Sequence, residues 1–249
     1  VEAGAQGQVD QHRVPGQGRW HANGRVRNRR CRRQPHAAVV AVKVATGSAV
    51  HALSAIRHWV FDMDGTLTVA VHDFAAIRRA LEIAAEEDIL DHIAALPDAP
   101  AQAKRAWLLD HERALAEDAL PAPGAVKLLR ALSAAGCRLG ILTRNDHALA
   151  KLTLEAIGVG ALFDDADIIG RDEAVPKPSP DGLQQHLRRW GIGAAHAVMV
   201  GDHAYDLECG RAAGAHTVLV NLPENPWPGR ADWHFADCRA LLAAWQQKG

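Results

Sequence analysis

Residues 58–68 read HWVFDMDGTLT. The run from His58 to Phe61 has the short apolar character of a buried strand, and it ends in Asp62, Met63, Asp64 and a Gly-Thr turn. Residues at i and i+2 project from the same side of an extended chain, so the carboxylates of Asp62 and Asp64 meet at one point. Gly65 then permits a turn that other residues resist. One carboxylate of such a pair can serve as a nucleophile while the other carries protons. From these residues alone, an Asp-Gly turn beside a chance acid reads equally well.

Outward from this stretch, further strand candidates are RLGIL (138–142), ADIIG (166–170), AVMVG (197–201) and HTVLV (216–220), with a short one at 232–235. Helical stretches lie between them at about 124–135, 146–157, 179–190 and 204–213, and a closing helix near 237–246. Leu183, Leu187 and Trp190 mark one buried face of the third. Short apolar strands alternating with helices predict an α/β fold: a doubly wound, Rossmann-like parallel sheet with helices on both faces and the chemistry at the carboxyl ends of the strands.

Residues 69–122 break the alternation. They read as helices alone, with Phe74, Ile77 and Leu81 on one face, a short helix near 86–96, and a longer one carrying Trp107, Leu108 and Leu115. The expected organisation is a core of residues 50–68 and 123–249, with 69–122 as a helical cap over the strand ends. PAPG at 121–124 punctuates the return to the core.

Residues 1–50 hold nine Lys/Arg against two Asp/Glu, and the remainder nineteen against twenty-seven. The acidic body is unsuited to gripping phosphate backbones without sequence selection, so no nucleic-acid partner is expected, and any phosphate it handles needs a local cation. Residues 1–49 show no sustained period and are expected to form a disordered basic extension rather than a nucleic-acid arm. Cys31, Cys137, Cys209 and Cys238 are too widely spaced to suggest a zinc site or a disulfide framework, and a reducing cytoplasm is the expected compartment. No apolar run is long enough to predict a membrane span. The 14 histidines show no ligand spacing, Trp107 and Trp190 read as packing residues, and Cys209 as a buried thiol.

Three further pieces carry chemistry. Thr143 ends the second strand in ILTRN, where its hydroxyl and the backbone N–H groups of Arg144 and Asn145 can take a phosphoryl oxygen. Asp146 is the expected N-cap of the helix that follows. Lys177 stands between prolines in VPKPSP, suited to act as a fixed cation. Asp202 and Asp206 follow the fourth strand in GDHAYD, where acids suit a hard cation; helix capping is the blander alternative.

In this order the four pieces resemble the haloacid dehalogenase superfamily, specifically its phosphoglycolate-phosphatase-like phosphatases, over about residues 56–245. The resemblance implies a Mg2+-dependent phosphatase that hydrolyses a small organic phosphomonoester through an aspartyl-phosphate. Asp62 would be the nucleophile and a metal ligand, and Asp64 the general acid/base with its carbonyl on the metal. Thr143 and Lys177 would hold the phosphoryl group, with Arg144 and Asn145 also binding substrate. Asp202 would bind the metal directly, and Asp206 would support it from behind. The acid at Asp64 disfavours dehalogenation. A sugar phosphomutase is the alternative, with a non-catalytic binding protein behind it. Val71 and His72 depart from the Asp-Ser common among phosphoglycolate phosphatases, which puts phosphoglycolate in doubt; Asp73 reads as a helix N-cap.

Overall fold

The computed structural model describes residues 53–70 and 73–247; the expectations for residues 1–49 and for Val71 and His72 lie outside them. Strand β1 (His58–Phe61) is flanked by β2 (Arg138–Leu142), then β3 (Ile168–Ile169), on one side. On the other lie β4 (Ala197–Gly201), β5 (His216–Leu219) and β6 (Trp233–His234). Every pairing is parallel, which makes this an α/β, Rossmann-like sheet. The strand expected at 166–170 shortens to two residues because Asp165–Asp167 turns as a 3-10 helix.

The period of two along each strand explains the two layers of helix. Trp59 and Phe61 of β1, with Val198 and Val200 of β4, face one core. Helices α4 (Ala125–Ala134), α5 (His147–Ala156) and α8 (Cys238–Gln246) cover it. Val60 and Met199 face the opposite core, covered by α6 (Asp181–Trp190) and α7 (Ala204–Ala213). Leu183, Leu187 and Trp190 are buried there, as their spacing requires.

Between β1 and β2 the chain leaves and returns through paired segments: Val69 N donates to Leu120 O at 2.9 Å and Ala122 N to Leu67 O at 2.8 Å. The insert they bracket contains α1 (Phe74–Ala80), α2 (Ile89–Ala94) and α3 (Asp98–Glu117). Its apolar residues, among them Ile77, Leu81, Ile93 and Leu108, gather in a core of their own. Asp73 caps α1 by accepting from Ala76 N. Phe74, at the start of α1, is 55% exposed on the cavity wall, which Ile77 also lines. One expectation for the insert fails. Trp107 is 39% exposed and stacks on His111, because Leu108 takes the inward position of α3. No helix among the described residues is long and apolar enough to cross a membrane.

Candidate active site

Register pairs Phe61 with both Ile141 and Val200, so the residues that follow each strand emerge along one edge of the sheet. Asp62 continues β1 by donating its N–H to Val200 O at 2.9 Å, and Thr143 continues β2 by donating its own to Ile169 O at 3.0 Å. A cavity of about 350 Å³ opens above that edge, roofed by the insert. Asp62, Asp64, Thr143, Arg144, Asn145, Lys177, Asp202 and Asp206, the eight residues singled out from the sequence, all line it.

Lys177 is the electrostatic centre. Its Nζ donates to Asp62 Oδ1 at 2.6 Å and to Asp206 Oδ1 at 2.7 Å, with the lysine side chain almost wholly buried. Burial penalises its charge, but the Asp206 and Asp62 carboxylates outweigh that penalty and hold its pKa above the ordinary value. Asp206 is committed on both oxygens, since Oδ2 accepts from His203 N at 3.0 Å in the capping box of α7. The sequence allowed Asp202 or Asp206 as the cap of this helix; His203 is the cap, and Asp206 closes the box.

Asp202 sits where Gly65 makes room for it. Gly65 has φ +82°, and a Cβ there would lie 2.3 Å from Asp202 Oδ2. Thr66 Oγ1 donates to Asp202 Oδ1 at 2.9 Å. Asn221 Nδ2 donates to the carbonyls of Gly65 and Thr66, each at 2.8 Å, and so fixes the turn from outside. Sequence reasoning missed both Thr66 and Asn221. Thr66 stood in plain view within DGT, whereas Asn221 comes from the distant end of β5 and carried no local signal.

The loop after β2 is tightly organised. Thr143 Oγ1 accepts from Asn145 N at 3.1 Å, so that N–H is spent on the loop rather than open to a ligand. Asp146 caps α5 by accepting from Ala148 N and Leu149 N. Arg144 reaches away from the loop: Nη2 donates to Asp88 Oδ2 at 2.6 Å and Nη1 to Lys177 O at 3.2 Å. Cys209 is buried, and desolvation pushes its thiol up to about 12, far from a nucleophile's range.

Asp62, Asp202 and Asp206 each place a carboxylate oxygen within 4.8 Å of the others. Burial, and after Lys177's opposing pull the nearby Asp206 and Asp202 charges, leave the Asp62 carboxyl well above the usual carboxylate range. Three acids against one lysine make a site short of positive charge. An oxygen-only donor set with that deficit fits a hard divalent cation better than zinc.

The site's geometry agrees with what the chain resembles. A family model for haloacid dehalogenase-like hydrolases matches residues 56–214. A haloacid dehalogenase-like hydrolase domain-containing protein of Arabidopsis thaliana is 34% identical over 183 aligned residues, covering 69% of this chain and 73% of that protein. A phosphoglycolate phosphatase of Rhodospirillum rubrum is 32% identical over 196, covering 65% of this chain and 78% of that one. The crystal structure of a predicted phosphoglycolate phosphatase from Haemophilus somnus shares the fold with a TM-score of 0.63 at 22% identity, covering 77% of this chain and 98% of its own. The matched family defines the class as a hydrolase. The chain belongs to the haloacid dehalogenase-like hydrolases.

Proposed function

We propose that this protein hydrolyses a small organic phosphomonoester with magnesium, passing the phosphoryl group through Asp62. The observation that carries this reading is the setting of Asp62: it ends the central strand on the cavity floor, with Oδ1 held by Lys177 and two further acids beside it. Asp62, Asp202 and the backbone carbonyl of Asp64 would hold the ion, which supplies charge neutralisation for the phosphate oxygens when bound.

A carboxylate oxygen of Asp62 forms a bond to phosphorus while the bond from phosphorus to the leaving oxygen breaks. Asp64, lining the same cavity, gives its proton to that oxygen. Asp64 then takes a proton from water as the water oxygen attacks phosphorus, and the bond to Asp62 breaks to release inorganic phosphate. The Thr143 hydroxyl and the Lys177 ammonium bind the phosphoryl oxygens through both steps. Lys177 enters the first step charged, because its two acid partners hold its pKa high.

Segments 67–69 and 120–122 would bound the insert as a cap that encloses the leaving group. Its wall is mostly apolar, from Phe74, Ile77, Ile89, Leu90 and Leu108, which suits an organic ester of modest size. A panel of phosphomonoesters assayed with magnesium tests the reading. Release of inorganic phosphate from one or more is expected. Accumulation of a sugar-phosphate isomer without free phosphate would assign a mutase instead, and inertness across the panel a binding protein.

A further inference from the structure

We infer that Arg144 is a positioning residue: it ties the helical insert to the backbone of Lys177, so that the seat of the insert over the cavity sets the lysine against Asp62. This rests on the reading of Lys177 as a phosphoryl-binding group. The sequence reading offers the Arg144 backbone N–H to a phosphoryl oxygen and the resemblance makes the residue a substrate ligand, but its guanidinium is already engaged. Nη2 donates to Asp88 Oδ2 at 2.6 Å and Nη1 to Lys177 O at 3.2 Å, while the Tyr205 ring of α7 lies 5.2 Å beneath.

Each partner is fixed in its own right. Asp88 is the N-cap of α2, its Oδ1 accepting from Leu90 N and Asp91 N, so Oδ2 is aimed by the helix. The Arg144 and Asp88 side chains are 27% and 28% exposed, sheltered enough for the pair to hold more than a surface ion pair does. The same loop is braced to the insert a second time. Arg171 N donates to Asn145 O at 2.9 Å, and Arg171 Nη1 donates to both carboxylate oxygens of Glu112 on α3, at 2.9 and 2.8 Å. A phosphate seeking Arg144 would have to displace Asp88, whose charge already matches it. One side chain therefore joins the insert, the Lys177 loop and α7 into a unit.

A double-mutant cycle tests this with Arg144→Met and Asp88→Asn, assayed on an aryl phosphate with magnesium. Asn still caps α2, so the second change removes charge and little else. Each single variant should lower kcat about tenfold, the scale of a slightly misplaced catalytic group, with a smaller change in KM. The double variant should be no worse than the poorer single, since both remove one interaction. Asp88→Glu, which keeps the charge but gives up the cap, should recover part of the rate lost in Asp88→Asn. Asp88→Asn at the wild-type rate beside a many-fold rise in KM for Arg144→Met would make Arg144 a substrate ligand and overturn the inference, as would multiplying losses. Hydrogen exchange reads the tie without turnover: both single variants should speed exchange in residues 86–96 and 174–180, and unchanged protection there would also overturn it. An inert wild-type enzyme would instead count against the functional reading, leaving the exchange result to decide the tie.

Discussion

Lys177 lies between the Asp62 and Asp206 carboxylates with its charge enforced by both, so its loss removes a prepared partner for phosphate and leaves the two acids facing each other. Lys177→Met should lower kcat/KM by about 100-fold or more, the scale for losing one preorganised charge; a near-normal rate in a steady-state assay would make it a bystander. Gly65 is constrained twice, by φ +82° and by Asp202 at 2.3 Å from any Cβ. Gly65→Ala should push Asp202 aside and weaken activation by magnesium, read as a rise of at least about tenfold in the magnesium concentration for half-maximal rate, in keeping with losses from disturbed ligand support. An unchanged magnesium titration would separate Asp202 from the metal. Much of this site was legible because its acids sit immediately after strands, where spacing and turn chemistry speak locally. Asn221 was not legible: it acts on Gly65 and Thr66 from 155 residues or more away, through contacts that only the folded sheet creates.

At the scale of elements, the insert shows where sequence pattern gives out. A helix of 20 residues with apolar neighbours at Trp107 and Leu108 offers two candidates for its inner face, and size favours the wrong one. The chain turns Leu108 inward at 3% exposure and leaves Trp107 at 39% against His111. Adjacent substitutions should therefore diverge. Leu108→Ala should cost roughly 2–5 kcal/mol of unfolding free energy, the range for a buried leucine, while Trp107→Ala should cost under about 1 kcal/mol. Denaturant titration of the two variants decides it, and equal losses would contradict the burial pattern. The core helices were easier to read, as in α6, where Leu183, Leu187 and Trp190 pack one face on a sheet already defined by its strands. The strand β3 was overestimated because Asp167, 1% exposed, turns inward to accept from Arg138 and Trp190 instead of extending the ladder.

At the largest scale, the described residues form a sheet whose strand ends gather charge beneath a helical insert, and that plan followed from alternation of apolar strands and helices from His58 onward. Leu53 and Ile56, 1% and 5% exposed, pack on the same core as Trp59, and Trp59 Nε1 donates to Ile56 O. A chain beginning at His51 should keep its fold and rate. One beginning at His58 should lose several kcal/mol, on the order of 1.5–3 kcal/mol for each aliphatic side chain removed from the core. Thermal melts compare the two directly, and an unfolded product from the chain beginning at His51 would place essential packing before residue 51. Activity as a whole should vanish in excess chelator and return with magnesium, because among the described residues the three clustered acids have Lys177 as their bonded cation, too little to offset them and a phosphate.

The central claim is that the phosphoryl group passes through Asp62, and rapid-quench mass spectrometry of two variants tests it most directly. Asp64→Asn keeps the nucleophile but lacks the proton carrier, so with an aryl phosphate, whose leaving group departs without protonation, it should show a burst and hold one added phosphoryl group at Asp62. Asp62→Asn should show neither burst nor added mass. A phosphoryl group on the Asp62→Asn protein, or one mapped to Cys209 in the Asp64→Asn protein, would contradict the assignment.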